Sequence, residues 1–249
     1  MSDPILLRER DGAVARLTLN DADRANVLSD AMMAALSDAL TELAADPAAH
    51  VIVLGAAGRV FCAGHDLAEL QAANDGAEAL FARCSALMQA IVACPKPVIA
   101  RVQGPAVAAG CQLVASCDLA FSVDTARLAV SGINLGLFCS TPGVALARAV
   151  GRKDALEMLL TGRFVGAAEA AAMGLINRAV PAGELDAVVD EAAQAIASKA
   201  PDAIALGKSV FNRQVALPLE TAYAVASAAM AQNLGFESAT TGIAAFLKR

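Results

Sequence analysis

Apolar and polar positions along the chain follow one pattern up to about residue 143 and another beyond it. ILLRER and VARLTLN flank Asp11 and Gly12, a turn dipeptide between two strand-like runs, and predict an opening hairpin. Ser29 then stands as a helix cap ahead of Met32, Leu36, Leu40 and Leu43, which recur at helical spacing until Asp46 and Pro47 end the run. HVIVLGA reads as a buried strand. Across 76–94, Leu80, Cys84, Leu87 and Ile91 share one helical face before CPKP stops it, and PVIARVQG is the next strand. The order strand, glycine-bearing loop, helix, strand recurs after residue 98, with DLAFSV and RLAV as further strands. An α/β domain on a largely buried sheet is predicted. From residue 143 the strand pattern stops, and helical patterns follow one another over 143–150, 152–161, 167–173, 185–199, 202–214 and 219–233.

Composition narrows the function classes. Hydrophobic residues make up 57% of the 249, but much of this is alanine in helical repeats, and no apolar run approaches the roughly 18 residues of a membrane span. The first residues, MSDPILLRERDG, lack a basic region, an apolar core and a small-residue cleavage site, so secretion is not expected. The expected compartment is the cytoplasm, or a mitochondrial-type matrix if a targeting segment has been removed. With 19 basic against 25 acidic residues and no basic stripe, nucleic acid is not an expected partner. Six cysteines without a C-x-x-C pair, and only His50 and His65 as imidazoles, predict reduced thiols and no metal site.

Two loops carry chemical interest. In GRVFCAGHDLAEL, residues 58–70, Gly64 permits a sharp turn that leaves the amide of His65 outside regular structure. In VQGPAVAAGCQL, Gly104 and Pro105 break a strand, and Ala108, Ala109 and Gly110 begin a helix whose first amides have no internal partner and lie at the positive end of its dipole. Two such donors converging on one point would stabilise an enolate or a tetrahedral oxyanion formed from a carbonyl.

FCAGHDLAEL, VQGPAVAAGCQLVASCDLAFS and GRKDALEMLLTGRFVGAAEAAAMGLINRAV, in this order and spacing, resemble the enoyl-CoA hydratase/isomerase (crotonase) family. The likeness runs from DRANVLSDAMMAAL to GIAAFLKR. It implies a spiral of β-β-α units followed by a helical C-terminal trimerisation region, with residues 1–195 and 196–249 forming one continuous unit. It implies an acyl thioester of coenzyme A as substrate, no tightly bound cofactor, a homotrimer or pair of trimers, and lyase chemistry in fatty acid metabolism. Carried over by position, the amides of His65 and Ala109 form an oxyanion hole, and Gly110 belongs to the residues that bind the acyl-CoA. Arg24 and Ala25, together with Ala63, Gly64, His65, Asp66 and Leu67, line the coenzyme A moiety. Phe246 and Arg249 match positions that reach the nucleotide from an adjacent subunit. The lysine that some members carry after the first loop is Ala68 here.

The chain departs from the family at the proton-transfer positions. Two glutamates of the hydratases correspond to Gln112 and Gly132. Glutamine keeps the shape and hydrogen-bonding reach of glutamate but exchanges no proton near neutrality, and glycine has no side chain. A positioned acid or base is worth about 10²- to 10⁴-fold in rate, so efficient hydration is not expected, and restoring both carboxylates is expected to raise it. Among substitutes, His65 has a ring that titrates near neutrality, and GHDL resembles the loop of methylmalonyl-CoA decarboxylases in the family. The tyrosine of those enzymes is Cys139 here, a weak candidate nucleophile, and Ser131 could orient a water. Asp66 is expected to cap the helix after Gly64, Glu69 to be a solvated helix face, and Cys111 and Cys117 to pack as small apolar groups. An acyl-CoA enzyme is the leading expectation. A decarboxylase-like enzyme and a non-catalytic acyl-CoA-binding protein are the alternatives, and a ligand-free structural trimer ranks last.

Overall fold

A computed structural model describes residues 3–73 and 76–248. The chain opens with β1 (Leu6–Asp11) and β2 (Val14–Leu19), an antiparallel pair in which Asp11 faces Val14 across Gly12, whose φ of 56° suits a residue without Cβ. The expected hairpin is there. Helix α1 (Asp30–Ala45) follows; the Ser29 hydroxyl accepts from the Met32 amide at 3.3 Å, and Met32, Leu36 and Leu40 point into the core. After it come β3 (Val51–Ala56), α2 (Leu67–Ala73), α3 (Ala77–Ala93), β4 (Val98–Val102), β5 (Ala106–Val107) and α4 (Ala109–Ser116). Next are β6 (Leu119–Val123), β7 (Arg127–Ala129), α5 (Ser140–Ala149), α6 (Arg152–Thr161), β8 (Val165–Gly166), α7 (Ala167–Ala172) and β9 (Arg178–Val180). The chain closes with α8 (Leu185–Ala197), α9 (Pro201–Gln214), α10 (Leu219–Leu234) and α11 (Glu237–Leu247).

The strands form two sheets. The larger has the order β1-β2-β3-β4-β6-β9 and is parallel from β2 onward. All six residues of β3 are buried, as expected of a strand covered on both faces. The smaller sheet has the order β5-β7-β8 and is extended by a bridge from Cys62 to Ala106. Each turn of the chain therefore lays one strand in the large sheet, places a short extended segment in the small one, and returns through helix. The turns are β3, Cys62, α2 and α3; then β4, β5 and α4; then β6, β7, α5 and α6. The spiral of β-β-α units is present.

Two expectations are corrected. Strands do not end at residue 143, because β8 pairs antiparallel with β7 and β9 parallel with β6. At two and three residues they are too short to show alternation, and they exist because the preceding turns leave open edges for them. The helical series also gains α11, which sequence periodicity did not separate from α10. Helix α8 packs on the large sheet, whereas α9, α10 and α11 pack on one another. Lys208 of α9 ties that group to the core: its buried ammonium donates to the carbonyls of Ile91 (3.0 Å) and Lys96 (3.2 Å) and to Asp118 (2.7 Å). No helix among the described residues is long and apolar enough to cross a membrane.

Candidate active site

The two loops interlock. The amides of Phe61 and Cys62 donate to the Pro105 carbonyl at 3.0 and 3.3 Å, and the Val107 amide donates to the Cys62 carbonyl at 2.9 Å. Two glycines make this approach possible. A Cβ on Gly110 would sit 2.2 Å from the Cys62 carbonyl oxygen. A Cβ on Gly64, whose φ is 99°, would lie 3.0 Å from the Ala108 Cβ and 3.3 Å from the Ala109 nitrogen. The turn that presents His65 and the amide that opens α4 are thus neighbours. Among the described residues, neither the His65 nor the Ala109 amide donates to a backbone carbonyl. Ala108 holds an unusual φ of 51° with ψ of −117°, fixed by its amide on the Ala129 carbonyl (2.8 Å) and its carbonyl under the Gln112 amide (3.0 Å). Such strain costs about 1–3 kcal/mol and persists only where its surroundings over-determine it; here it turns the first amide of α4 out of the helix.

The segments expected from the resemblance to line coenzyme A lie against the same loops. The Ala63 amide donates to the Ala25 carbonyl at 3.0 Å, and the Leu28 amide to the Gly64 carbonyl at 2.8 Å. Asn26, which sequence reasoning missed, clamps them together. Fully buried at φ 52°, it donates to the carbonyls of Ala57 and Val60, both at 2.8 Å, and accepts from the Asp21 amide at 2.9 Å. Asparagine tolerates this left-handed backbone better than most residues, and its place in DRANV was the available signal. Arg24 is paired with Asp66, whose other oxygen caps α2 through the amides of Ala68 (2.8 Å) and Glu69 (3.4 Å). The expected Asp66 cap is therefore present. Glu69, partly exposed on α2, also accepts from the Asp30 amide at the start of α1, at 2.8 Å. Leu67 is exposed at the rim. Phe246, 73% exposed, sits on α11, away from the two loops. Arg249 lies outside the described residues.

At the two positions expected to match the family's glutamates, the chain is uncharged. Gln112 lies on the first turns of α4, only 4% exposed, its side-chain oxygen 4.0 Å from the Cys84 thiol. Gly132 opens a tight turn with Ser131, which is partly buried. The Gly132 amide donates to the Cys139 sulfur at 3.3 Å, and the Leu137 amide to the Gly132 carbonyl at 3.0 Å. A Cβ at 132 would meet the Leu137 carbonyl oxygen at 2.5 Å and the Cys139 sulfur at 2.8 Å. The backbone has closed over the space a side chain would need. Burial raises the Cys139 thiol above its ordinary pKa, with the Gly132 amide opposing, so a resting nucleophile is disfavoured. Cys111 is pushed up to about 12, first by burial and then by nearby Cys139, and Cys117 is also raised by burial; both pack as expected.

His65 is set differently. Its ring meets Phe81 edge-on at 5.6 Å, and both ring nitrogens are buried without a hydrogen-bond partner. Burial pushes its pKa down, against the opposing pull of the Leu28 carbonyl, Glu69 and Asp30, so the ring is neutral near pH 7. His50 bonds the Ala197 carbonyl at 3.1 Å, a structural contact. A groove of about 210 Å³ between the large sheet and α8 is lined by Arg16, Thr18, Arg101 and Asp186. Its arginines are paired with Asp190 and Asp186. No cluster of metal-ligating side chains occurs among the described residues.

Residues 9–249 match the family model described as enoyl-CoA hydratase/isomerase. The chain belongs to the enoyl-CoA hydratase/isomerase family. A Xenopus laevis relative, "Enoyl-CoA hydratase domain-containing protein 3, mitochondrial", is 42% identical over 248 residues, covering 99% of this chain and 84% of its own. Among solved structures, an enoyl-CoA hydratase of Mycobacterium smegmatis superposes with a TM-score of 0.97 at 52% identity, covering 99% of this chain and 97% of the other. Human enoyl-CoA hydratase domain-containing protein 3 does so with a TM-score of 0.95 at 43% identity, covering 98% and 97%. The crotonase fold follows for this member of the family.

Proposed function

We propose that this protein binds the thioester of an acyl-coenzyme A with the amides of His65 and Ala109 on the thioester oxygen. The observation that carries the reading is the pair of backbone donors, without a backbone acceptor among the described residues and brought side by side by Gly64 and Gly110. Donors fixed in advance and partly withdrawn from water stabilise a developing enolate without reorganisation. Arg24, Ala25 and the segment 63–67 border the coenzyme A moiety, which arrives as part of the substrate. Phe246 and Arg249 serve a neighbouring subunit in a homotrimer, a reading supported by the exposed apolar side chains of α10 and α11 such as Tyr223, Met230 and Phe246. The proposed setting is fatty acid metabolism in the cytoplasm or a mitochondrial matrix.

With no carboxylate at 112 or 132, lyase activity toward an enoyl thioester should be about 10²- to 10⁴-fold below that of a family member bearing both. Purified protein is incubated with crotonyl-CoA and with malonyl-type esters while binding is followed by calorimetry. Slow hydration supports a lyase, and carbon dioxide release supports the decarboxylase-like alternative. Binding without product over hours supports a non-catalytic acyl-CoA-binding protein, the reading favoured by the closed backbone at Gly132. Absence of binding by every ester rejects the proposal.

A further inference from the structure

The groove between the large sheet and α8 holds more hydrogen-bond donors than the fold uses. On β2, Arg16 and Thr18 are two residues apart and so face the same side of the sheet, and Thr18 lies opposite Gly55 of β3. Arg101 of β4 flanks Gly55 from the other side, and all four residues line the groove with Asp186. Glycine is out of place in the interior of a buried strand, where it loosens the backbone and leaves nothing to pack. Gly55 has no left-handed backbone to excuse it. Nor does crowding require it: a Cβ there would meet nothing closer than the Arg101 Cδ at 3.6 Å, an ordinary contact, whereas at Gly110 and Gly132 a Cβ would strike a main-chain carbonyl. What this glycine provides is an open floor between two guanidinium groups.

We infer that this groove is a binding site for a phosphate-type oxyanion, seated over Gly55 and held by Arg16, Arg101 and the Thr18 hydroxyl. A guanidinium carries five N–H donors. Among the described residues, Arg16 donates through one terminal nitrogen to Asp190 and Arg101 through Nε to Asp186, each making that bond alone, and the Thr18 hydroxyl makes none. Both aspartates stand at the rim, with side chains 48% and 69% exposed. Ion pairs so placed are weakly held and their carboxylates turn out into water at little cost. A tetrahedral oxyanion, by contrast, accepts from both guanidinium groups and from the hydroxyl at once, in the forked geometry that suits arginine. The volume of about 210 Å³ falls below the roughly 300 Å³ at which pockets enclosing whole small molecules begin, so the occupant is free phosphate or the phosphoryl end of an ester. The site is independent of the acyl-CoA reading, since no residue lining it belongs to either of the two loops.

Inorganic phosphate and glycerol 3-phosphate, titrated by calorimetry at constant ionic strength into the wild-type protein, Gly55→Val, Arg101→Met and the double variant Asp186→Asn plus Asp190→Asn, test this. Saturable binding of one anion per chain is expected, weakened about 10-fold or more when a side chain fills the floor in Gly55→Val or a guanidinium is lost in Arg101→Met. The double asparagine variant should bind about 3- to 10-fold more tightly, because the carboxylates that compete for the arginines are gone. A purely structural role for the two ion pairs predicts no such gain. Binding of both probes assigns the phosphoryl end of an ester, and binding of inorganic phosphate alone assigns the free ion. Absence of saturable binding by the wild type, wild-type affinity in Gly55→Val and Arg101→Met, or no gain in the double asparagine variant overturns the inference. Titration of the wild type is a test even where a variant does not fold.

Discussion

Replacing Gly132 by alanine is expected to destabilise the protein by about 1–3 kcal/mol, the usual cost of forcing a methyl group into a filled site. The added carbon would stand 2.5 Å from the Leu137 carbonyl oxygen and 2.8 Å from the Cys139 sulfur, well inside the roughly 3.5 Å at which non-bonded atoms attract best. Neither neighbour is free to retreat. Leu137 is bound back to the Gly132 carbonyl at 3.0 Å, and Cys139 receives the Gly132 amide and directly precedes α5. For a chain of this size each kcal/mol lowers the melting temperature by about 2–4 °C, so thermal unfolding followed by circular dichroism should show a fall of roughly 2–12 °C. Adding Cys139→Ala removes the contact with sulfur but not the one with the carbonyl, and should recover only part of the loss. The same geometry revises an expectation drawn from sequence. Gln112→Glu plus Gly132→Glu should not restore hydration, because the second glutamate cannot enter without opening the turn. Gly132→Ala melting within 1 °C of the wild type, or a double glutamate variant with strong hydratase activity and an unshifted turn, would refute the reasoning.

Gly64→Ala places a side chain at φ 99° and 3.3 Å from the Ala109 nitrogen; coenzyme A ester affinity, read by calorimetry, should fall at least 10-fold even where the protein still folds. Lys208→Met takes the cation from partly exposed Asp118 and removes two bonds to main-chain carbonyls; it should cost about 1–3 kcal/mol in urea unfolding, with α9–α11 becoming the first segment to exchange amide hydrogens. Stability should also fall at alkaline pH. Burial pushes Cys62 to about 12, Cys84 to about 11 and Cys111 to about 12, from the ordinary thiol value of 9.0. The folded chain thus keeps thiol protons that the unfolded chain loses, so this contribution is intact below pH 9 and disappears as pH climbs toward 11–12. Three thiols together give a slope approaching 4 kcal/mol per pH unit in that window. Urea unfolding of Cys84→Ala between pH 9 and 11 should show a slope shallower by about 1.4 kcal/mol per pH unit, the share of one thiol.

How far the sequence could be read depended on whether the deciding contact was local. The hairpin at Gly12, the Ser29 cap and the helical face of Leu80, Cys84, Leu87 and Ile91 come from neighbours in the chain, and periodicity or turn chemistry exposes them. The strands β8 and β9 depend on sheet edges left by residues 37 or more positions away, and no pattern of two or three residues announces that. At the site, Gly64 and Ala109 were legible as a turn and a helix start. Their adjacency was not, since it depends on Gly110 admitting the Cys62 carbonyl. Asn26 and Glu69 were missed for the same reason: each satisfies backbone groups on a distant segment. Gly132 was legible as a missing carboxylate and illegible as a closed turn, because Leu137 and Cys139 meet it only after the chain folds back.

The keying of the Cys62 carbonyl into the notch at Gly110 has a kinetic corollary. Neither bend can breathe alone, because a displacement of one is transmitted through the main chain to the other, and relative jitter between the two donors is suppressed. The entropy of aligning them is surrendered once, as the chain folds, and not again at every encounter with ligand. Changes to the rim should therefore alter which molecules enter and how fast they leave, while the angle between the donors stays the same.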